Sequence, residues 1–331
     1  TGGGIKRNPI GNVFKVKTIY SGNNALLRLF AGLWDGYFLI KKAKKVANGP
    51  IIVLTSPPLL PFWASWMLKN REWVLWSMDL FPEGYAAIGT IKEDNPIYKY
   101  LIKYTYKYPP SKLIALGAGQ KKILEKKYAQ QINGVILPCG VFNENQETTE
   151  FPKWKSESDK IYFGYLGNCG MPHSPNFVKA AIDAIDPRFH RMILVVYGIH
   201  ADEVKKHAAG KEGIILLDNV PRQQLKFVDV HLVTLLPKWT HVAVPSKAVS
   251  SVCSGAAIIF CGNAESDNYQ LLKEAAWQIN DDENLGSNLK KLMRNINLEQ
   301  LHIKRSNAKI ISSQLADLIK DSYDEIAQWV E

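Results

Sequence analysis

Short apolar runs punctuate the chain, each too brief for a helix and each followed by a longer stretch of helical or polar character. In the first part these are "IIVLTS", "WVLWSM", "KLIAL" and "GVILP". Beyond residue 160 they are "KIYFGYLGN", "RMILVVYG", "GIILLDN", "VHLVTLL" and "AAIIF". Runs apolar at nearly every position predict strands buried on both faces, and their alternation with helices predicts parallel sheets in layers. The polar, aperiodic stretch around Phe142–Lys160 reads as a linker. The pattern therefore predicts an α/β protein of two Rossmann-like units, 1–150 and 151–315, facing across a cleft, with 316–331 as a C-terminal helix. Asn23 to about Val46 reads as a helix ending in "KKAKK", and "QLADLIKDSYDEIAQWV" near the end is amphipathic. "VFKVKTIY" alternates apolar and basic residues as a half-exposed strand does.

Ile51–Leu68 carries no charge over 18 residues, a length that invites a membrane-span reading. Pro57, Pro58 and Pro61 interrupt it, so the expectation is a buried strand, a proline loop and a core-facing helix.

Charge changes the picture. Lys+Arg 41 against Asp+Glu 31 gives a net +10, which calls for an anionic partner: a phosphorylated metabolite, a membrane surface or nucleic acid. The four cysteines show no C-x-x-C spacing and no disulfide framework, and no leader pattern opens the sequence, so the expected location is cytoplasmic. "KKAKK" and "YKYLIKYTYKYPPSK" interleave lysine with aromatic and aliphatic residues. That mixture suits the inner face of a membrane, stacking on RNA, or a solvated helix face. No nucleic-acid motif supports specific nucleic-acid binding.

"VPSKAVSSVCSGAAIIF" (Val244–Phe260) reads as a helix start, a glycine stop at Gly255 and a buried strand. Unpartnered amides at a helix start beside Lys247 make an anion site suited to phosphate; an ordinary capped helix is the alternative reading.

Several segments together resemble the GT-B glycosyltransferases of family 4, in the bacterial branch that builds lipid-linked surface polysaccharides and includes N-acetylfucosaminyltransferase-like enzymes. They are "TSPP" (Thr55–Pro58), "MDLFPE" (Met78–Glu83, with Phe81 where the branch has Trp), "LPCG" (Leu137–Gly140), "YLGNCGMPH" (Tyr165–His173), "NVPRQQL" (Asn219–Leu225) and "VPSKAVSSVCSG". The matches run in the family's order from about Thr55 to Trp277. The resemblance implies a retaining transfer of a sugar from a nucleotide donor, UDP first, to a saccharide or polyprenyl-linked acceptor, with no metal or other cofactor. It implies an acceptor-binding first domain and a donor-binding second domain, with the last helix returning to the first.

Residue by residue, Pro245, Ser246 and Lys247 would meet the donor diphosphate, with Ser250 near the ribose. Gly167, Asn168 and Gly170 would form the glycine loop. Asn219 and Arg222 would lie near the base, together with Asp218, and Trp239 is a stacking or packing candidate. Asp79 and His173 are the catalytic candidates, while Gly2, Gly3, Ser56 and Glu83 belong to the acceptor side. For Glu83 the alternative is a solvated carboxylate, and for Asp79 a turn cap. The other histidines receive no role. Asp281–Glu283 is an acidic triplet without strand-end spacing for a metal. Two departures stand out. The family's pair of glutamates eight residues apart is missing, the second aligning with Ser250. The first domain is also short at its beginning. A catalytically weak or inactive GT-B scaffold that binds saccharide or a protein partner is therefore the alternative function.

Overall fold

A computed structural model describes residues 11–20, 22, 24–142 and 150–329. Four parallel strands, β1 (Ile51–Leu54), β2 (Trp73–Trp76), β3 (Lys112–Ala115) and β4 (Gly134–Ile136), form the first sheet in sequence order. α1 (Ala25–Val46), α2 (Leu60–Met67), α3 (Glu83–Ile88), α4 (Pro96–Thr105) and α5 (Ala118–Tyr128) belong to this half. The second sheet has six parallel strands in the order β10-β9-β8-β5-β6-β7. They are β5 (Ile161–Asn168), β6 (His190–Tyr197), β7 (Ile214–Leu216), β8 (Val230–Thr234), β9 (Ala257–Cys261) and β10 (Ala276–Ile279).

The order of the second sheet follows from its sequence. Every residue of β8 and β9 is buried, as expected of central strands covered on both faces. The strand order reverses between β5 and β8, which pair through Phe163–Val230 and Gly164–His231. Loops leaving that switch point diverge and leave a crevice beyond the strand ends. The loop after β5 and the connection from β8 to α8 (Ser246–Cys253) therefore flank one opening.

A single helix, α11 (Leu298–Gln328), runs unbroken past residue 315 and joins the halves. Ala308, Ile311 and Leu315 pack in the core around β9, whereas Ile319, Ile326 and Trp329 lie against Val74, Ile114 and Val135 of the first sheet. Ser322 Oγ donates to the Ile136 carbonyl at 2.9 Å.

Two expectations need correcting. "VFKVKTIY" forms no strand: Val13, Phe14 and Ile19 are exposed, and the segment lies along α1, with Lys42 over the Phe14 ring and Thr18 donating to Asp35. Alternation describes a strand's two faces but supplies no neighbouring edge to complete the ladder. β10 was not anticipated, because its two middle residues, Trp277 and Gln278, are only partly buried and the strand sits beside a polar stretch. Ile51–Leu68 resolves into β1, a proline loop and α2. Among the described residues no helix is long and apolar enough to cross a membrane. Gly2 and Gly3 lie outside the described residues.

Candidate active site

The two sheets point their strand ends at a cleft of 640 Å³, within the range of about 300–1,000 Å³ usual for small-molecule sites. Gly167, Asn168, Pro172 and His173 after β5 form one wall with Pro245, Ser246 and Lys247 at the start of α8. Met78 and Asp79 after β2 stand on the other wall with Arg28 of α1.

Pro245 is extended at the N-cap of α8 and no side chain caps the helix. Ala248 N donates to the Pro245 carbonyl at 3.3 Å, and the Ser246 and Lys247 amides stand without a side-chain cap at the cleft wall, the arrangement in which amide dipoles favour an anion. Lys247 folds back so that its Nζ lies 3.8 Å from the Tyr165 ring centroid and 3.5 Å from the Asn168 carbonyl. Burial pushes the ammonium down to about 7, opposed by the Cys169 thiol. A lysine so placed is close to half neutral at pH 7, and an arriving phosphate would restore its charge.

The loop after β5 is held rigid. Cys169 N donates to Tyr197 O at 2.7 Å, His200 N to Cys169 O at 3.1 Å, and Leu236 N to Pro172 O at 2.8 Å. Gly198 adopts φ +99°, and a Cβ there would stand 2.1 Å from Asn168 Oδ1. Glycine is thus what lets the Asn168 side chain lie against the backbone at Gly198. His173 is buried and its Nδ1 has no partner. Burial, reinforced by the Lys247 charge, pulls its pKa down to about 3, so the ring is neutral at physiological pH.

Asp79 faces the cleft with an exposed side chain, and the walls around it raise its carboxyl above the ordinary value by desolvation. Its loop is fixed on both sides. Met78 N donates to Thr55 Oγ1 at 3.1 Å, Gln120 Nε2 donates to Met78 O at 2.7 Å, and Leu80 N donates across the cleft to Val242 O at 2.8 Å. Asp79 does not cap the next turn, since Pro82 is the N-cap residue of α3 and carries no side-chain cap.

Other sequence candidates stand apart from this lining. Gly170 lies beneath it, accepting from His173 N at 3.0 Å. Ser250 donates to the Gly140 carbonyl at 2.9 Å, one turn behind the opening. Arg222 is exposed above the Phe142 ring at 4.5 Å, and Asn219 and Asp218 are exposed in the same connection. Ser56 is exposed after β1. Glu83 is neither solvated nor in the cleft: it is buried, and its Oε1 accepts from Tyr106 Oη and from Lys127 Nζ, each at 2.7 Å. The helix that follows the loop turns this side chain away from Asp79 and into the first domain. Trp239 is both buried and part of the cleft wall. Asp281–Glu283 lies between β10 and α10 (Leu285–Asn295), and among the described residues no three metal-ligating side chains converge. Sequence reasoning missed Arg28 and Tyr197. Arg28 had a signal, as a lone cation within the apolar run "LLRLFAGLW", whereas nothing distinguished Tyr197 from an ordinary strand residue.

Comparison with known proteins agrees with this architecture. No family model matches the chain. Over 257 residues it is 25% identical to the probable glycosyltransferase WbjE of Pseudomonas aeruginosa, a match covering 72% of this chain and 64% of that protein. The chain thus spans somewhat under two thirds of that relative. It superposes with a TM-score of 0.62 and 12% identity on a trehalose-6-phosphate protein of E. coli bound with UDP-2-fluoro glucose, over 92% of this chain and 78% of that one. It also superposes on the pneumococcal O-GlcNAc transferase GtfA in complex with UDP and GlcNAc, with a TM-score of 0.59 and 13% identity, over 94% and 61% respectively. These likenesses show the fold: two parallel-sheet α/β halves of the GT-B type, closed by a long C-terminal helix. The relative found by sequence carries a glycosyltransferase name.

Proposed function

We propose that this protein is a retaining glycosyltransferase that moves a sugar from a UDP-sugar to a saccharide acceptor carried at a membrane surface, as in the building of bacterial surface polysaccharide. The observation that carries the reading is the start of α8, without a side-chain cap, with Ser246 and Lys247 lining the same cleft as Asp79. The amides and Lys247 receive the diphosphate. As the sugar–phosphate bond breaks, negative charge gathers on the departing UDP, and donors already fixed there stabilise that charge more than the ground state. Asp79, its carboxyl raised toward the working pH by the walls around it, takes the proton of the attacking hydroxyl. The neutral His173, part of the cleft lining, is placed to hydrogen-bond the sugar or a phosphate oxygen. Retention and the polysaccharide role rest on the resemblance of the segments around these residues.

Support for a membrane-borne acceptor comes from the outer face of the first domain. An unbroken chain of ring contacts crosses three helices there. Trp34 meets Phe38, Phe38 meets Tyr37, and Tyr37 meets Trp63, which touches both Trp66 and Phe62; from Phe62 the chain continues to Tyr100 and Tyr104. Phe30, Trp34, Trp66, Ile97 and Tyr100 are exposed. Lys41 lies over Tyr37, and both Lys103 and Lys107 lie over Tyr104. Asp35 is the sole acid in α1, α2 and α4. Exposed aromatics with lysines suit the interface of an anionic bilayer.

The test of the transferase reading is a thermal-shift screen with nucleotide-sugars, followed by detection of released UDP. A ligand at 100 times its Kd stabilises by roughly 2.7 kcal/mol, so a UDP-sugar at millimolar concentration should raise the melting temperature by several degrees. No shift with any nucleotide-sugar would refute the donor site.

A further inference from the structure

Two consecutive side chains at the start of α9 (Asp267–Leu272) reach in opposite directions across the molecule. Asp267 leaves the second domain and caps a helix of the first. Its Oδ1 accepts from Gly119 N at 2.7 Å and its Oδ2 from Gln120 N at 2.8 Å, the opening amides of α5. The fit is close enough that a Cβ on Gly117 would stand 2.3 Å from the Asp267 carboxyl carbon. α5 has no cap from its own residues, because its N-cap position is Gly117. Gln120, fully buried, passes the contact onward: its Oε1 accepts from Leu116 N at 2.9 Å and its Nε2 donates to the Met78 carbonyl at 2.7 Å, one residue before Asp79. The neighbouring Asn268, also buried, donates from Nδ2 to the Pro245 carbonyl at 2.8 Å, at the cap of α8.

We propose that Asp267 is a positioning residue for the transfer reaction. With Asn268 it forms a strut that sets the separation between the Asp79 loop and the diphosphate-binding turn. This deepens the transferase reading and rests on it. A carboxylate on a helix N-terminus is favoured by both hydrogen bonds and dipole. Both partners regain water when the domains part, so the net preference is modest and the contact can open and close. Leu80 N to Val242 O, Ser250 Oγ to Gly140 O and Ser322 Oγ to Ile136 O also join the halves, and these bonds are neutral. Asp267 supplies the charged contact, and its chain of bonds ends beside Asp79.

The experiment compares Asp267→Asn and Gln120→Met with the wild-type chain. Asparagine keeps the volume but turns one acceptor into a donor facing an amide. Gln120→Met leaves the cap in place, because Asp267 takes the Gln120 backbone amide, and cuts the side-chain bonds to the Met78 carbonyl and the Leu116 amide. Both variants should lower kcat, on the order of 100-fold for a displacement near 1 Å, with the Kd for UDP unchanged. Both should move the acidic limb of the kcat–pH profile downward, because a loosened Asp79 loop gains water. In small-angle scattering without nucleotide, Asp267→Asn alone should show a larger radius of gyration, reversed by saturating UDP. Variants with wild-type kcat and pH limb, or with only a lower melting temperature, would overturn the proposal. Should Asp267→Asn fail to fold, Gln120→Met decides the kinetic question. Should the wild-type chain turn over no nucleotide-sugar, the transferase reading fails, and scattering alone judges the strut, an unchanged radius overturning it.

Discussion

Replacing Lys247 by methionine tests the electrostatics of the proposed donor site most directly. Methionine keeps much of the stem that lies along Tyr165 and removes the charge. In the free protein, burial holds the ammonium at about 7. If UDP binds only the charged form and returns its pKa to the ordinary lysine range, binding must draw a proton from solvent. The uptake follows from the titration curve: about 0.5 proton per site at pH 7 and about 0.9 at pH 8. Over the same interval the apparent Kd should weaken about fivefold, in the ratio of the charged fractions. Titration calorimetry of UDP in phosphate and in Tris buffer measures the uptake, because the two buffers differ in ionisation enthalpy. Lys247→Met should abolish the uptake and the pH dependence. It should also weaken binding by the value of one charge-assisted hydrogen bond, roughly 1.5–3 kcal/mol, or roughly ten- to hundredfold in Kd. Buffer-independent binding by the wild-type chain, or uptake that survives in Lys247→Met, would refute the reasoning.

Asp79→Asn should lower kcat on the order of 100- to 10,000-fold, the range for a lost general base, while calorimetry finds UDP affinity unchanged. For the wild-type chain, kcat should fall with acid at a pH above the ordinary aspartate value, since only the ionised carboxylate accepts a proton and its pKa is raised. Glu83→Gln leaves Lys127 without its carboxylate and Tyr106 with a weaker acceptor; denaturant unfolding should show a loss of about 1–3 kcal/mol. Between pH 7 and 10 the Lys247→Met chain should lack part of the wild-type gain in stability. In the wild type the unfolded state binds the more protons there, so stability rises with pH. Phe30→Ser combined with Trp34→Ser should release the protein from vesicles containing phosphatidylglycerol without altering UDP affinity. Equal cosedimentation of the variant and the wild type would remove that face from membrane contact.

Nine of the ten strands among the described residues and the two-sheet organisation were legible in the sequence, because a strand buried on both faces must be apolar at nearly every position, as in "AAIIF" and "VHLVTLL". The helix start at Pro245–Lys247 was legible for a similarly local reason. Proline, serine and lysine at a helix start followed by glycine at its stop describe a cap and a charge within about a dozen residues. The failures share the opposite property. "VFKVKTIY" has the right period but no partner edge, and β10 has an edge but too little periodicity. Glu83 and Ser250 were placed by their neighbours in the chain, and Asp267 drew no reading at all. Their partners are instead Tyr106 and Lys127, Gly140, and the start of α5, with Gly140 lying 110 residues from Ser250 and Gln120 lying 147 from Asp267.

The sequence by itself determined most of the buried strands and where a helix opens on proline, serine and lysine. Burial imposes a short-range periodicity, and capping obeys short-range rules. Only the tertiary structure decided that this turn shares a cleft with Asp79, that burial lowers the pKa of Lys247, and that a carboxylate of one half caps a helix of the other. Those properties depend on the distances and desolvation created when remote segments pack together, and no local pattern of residues encodes them.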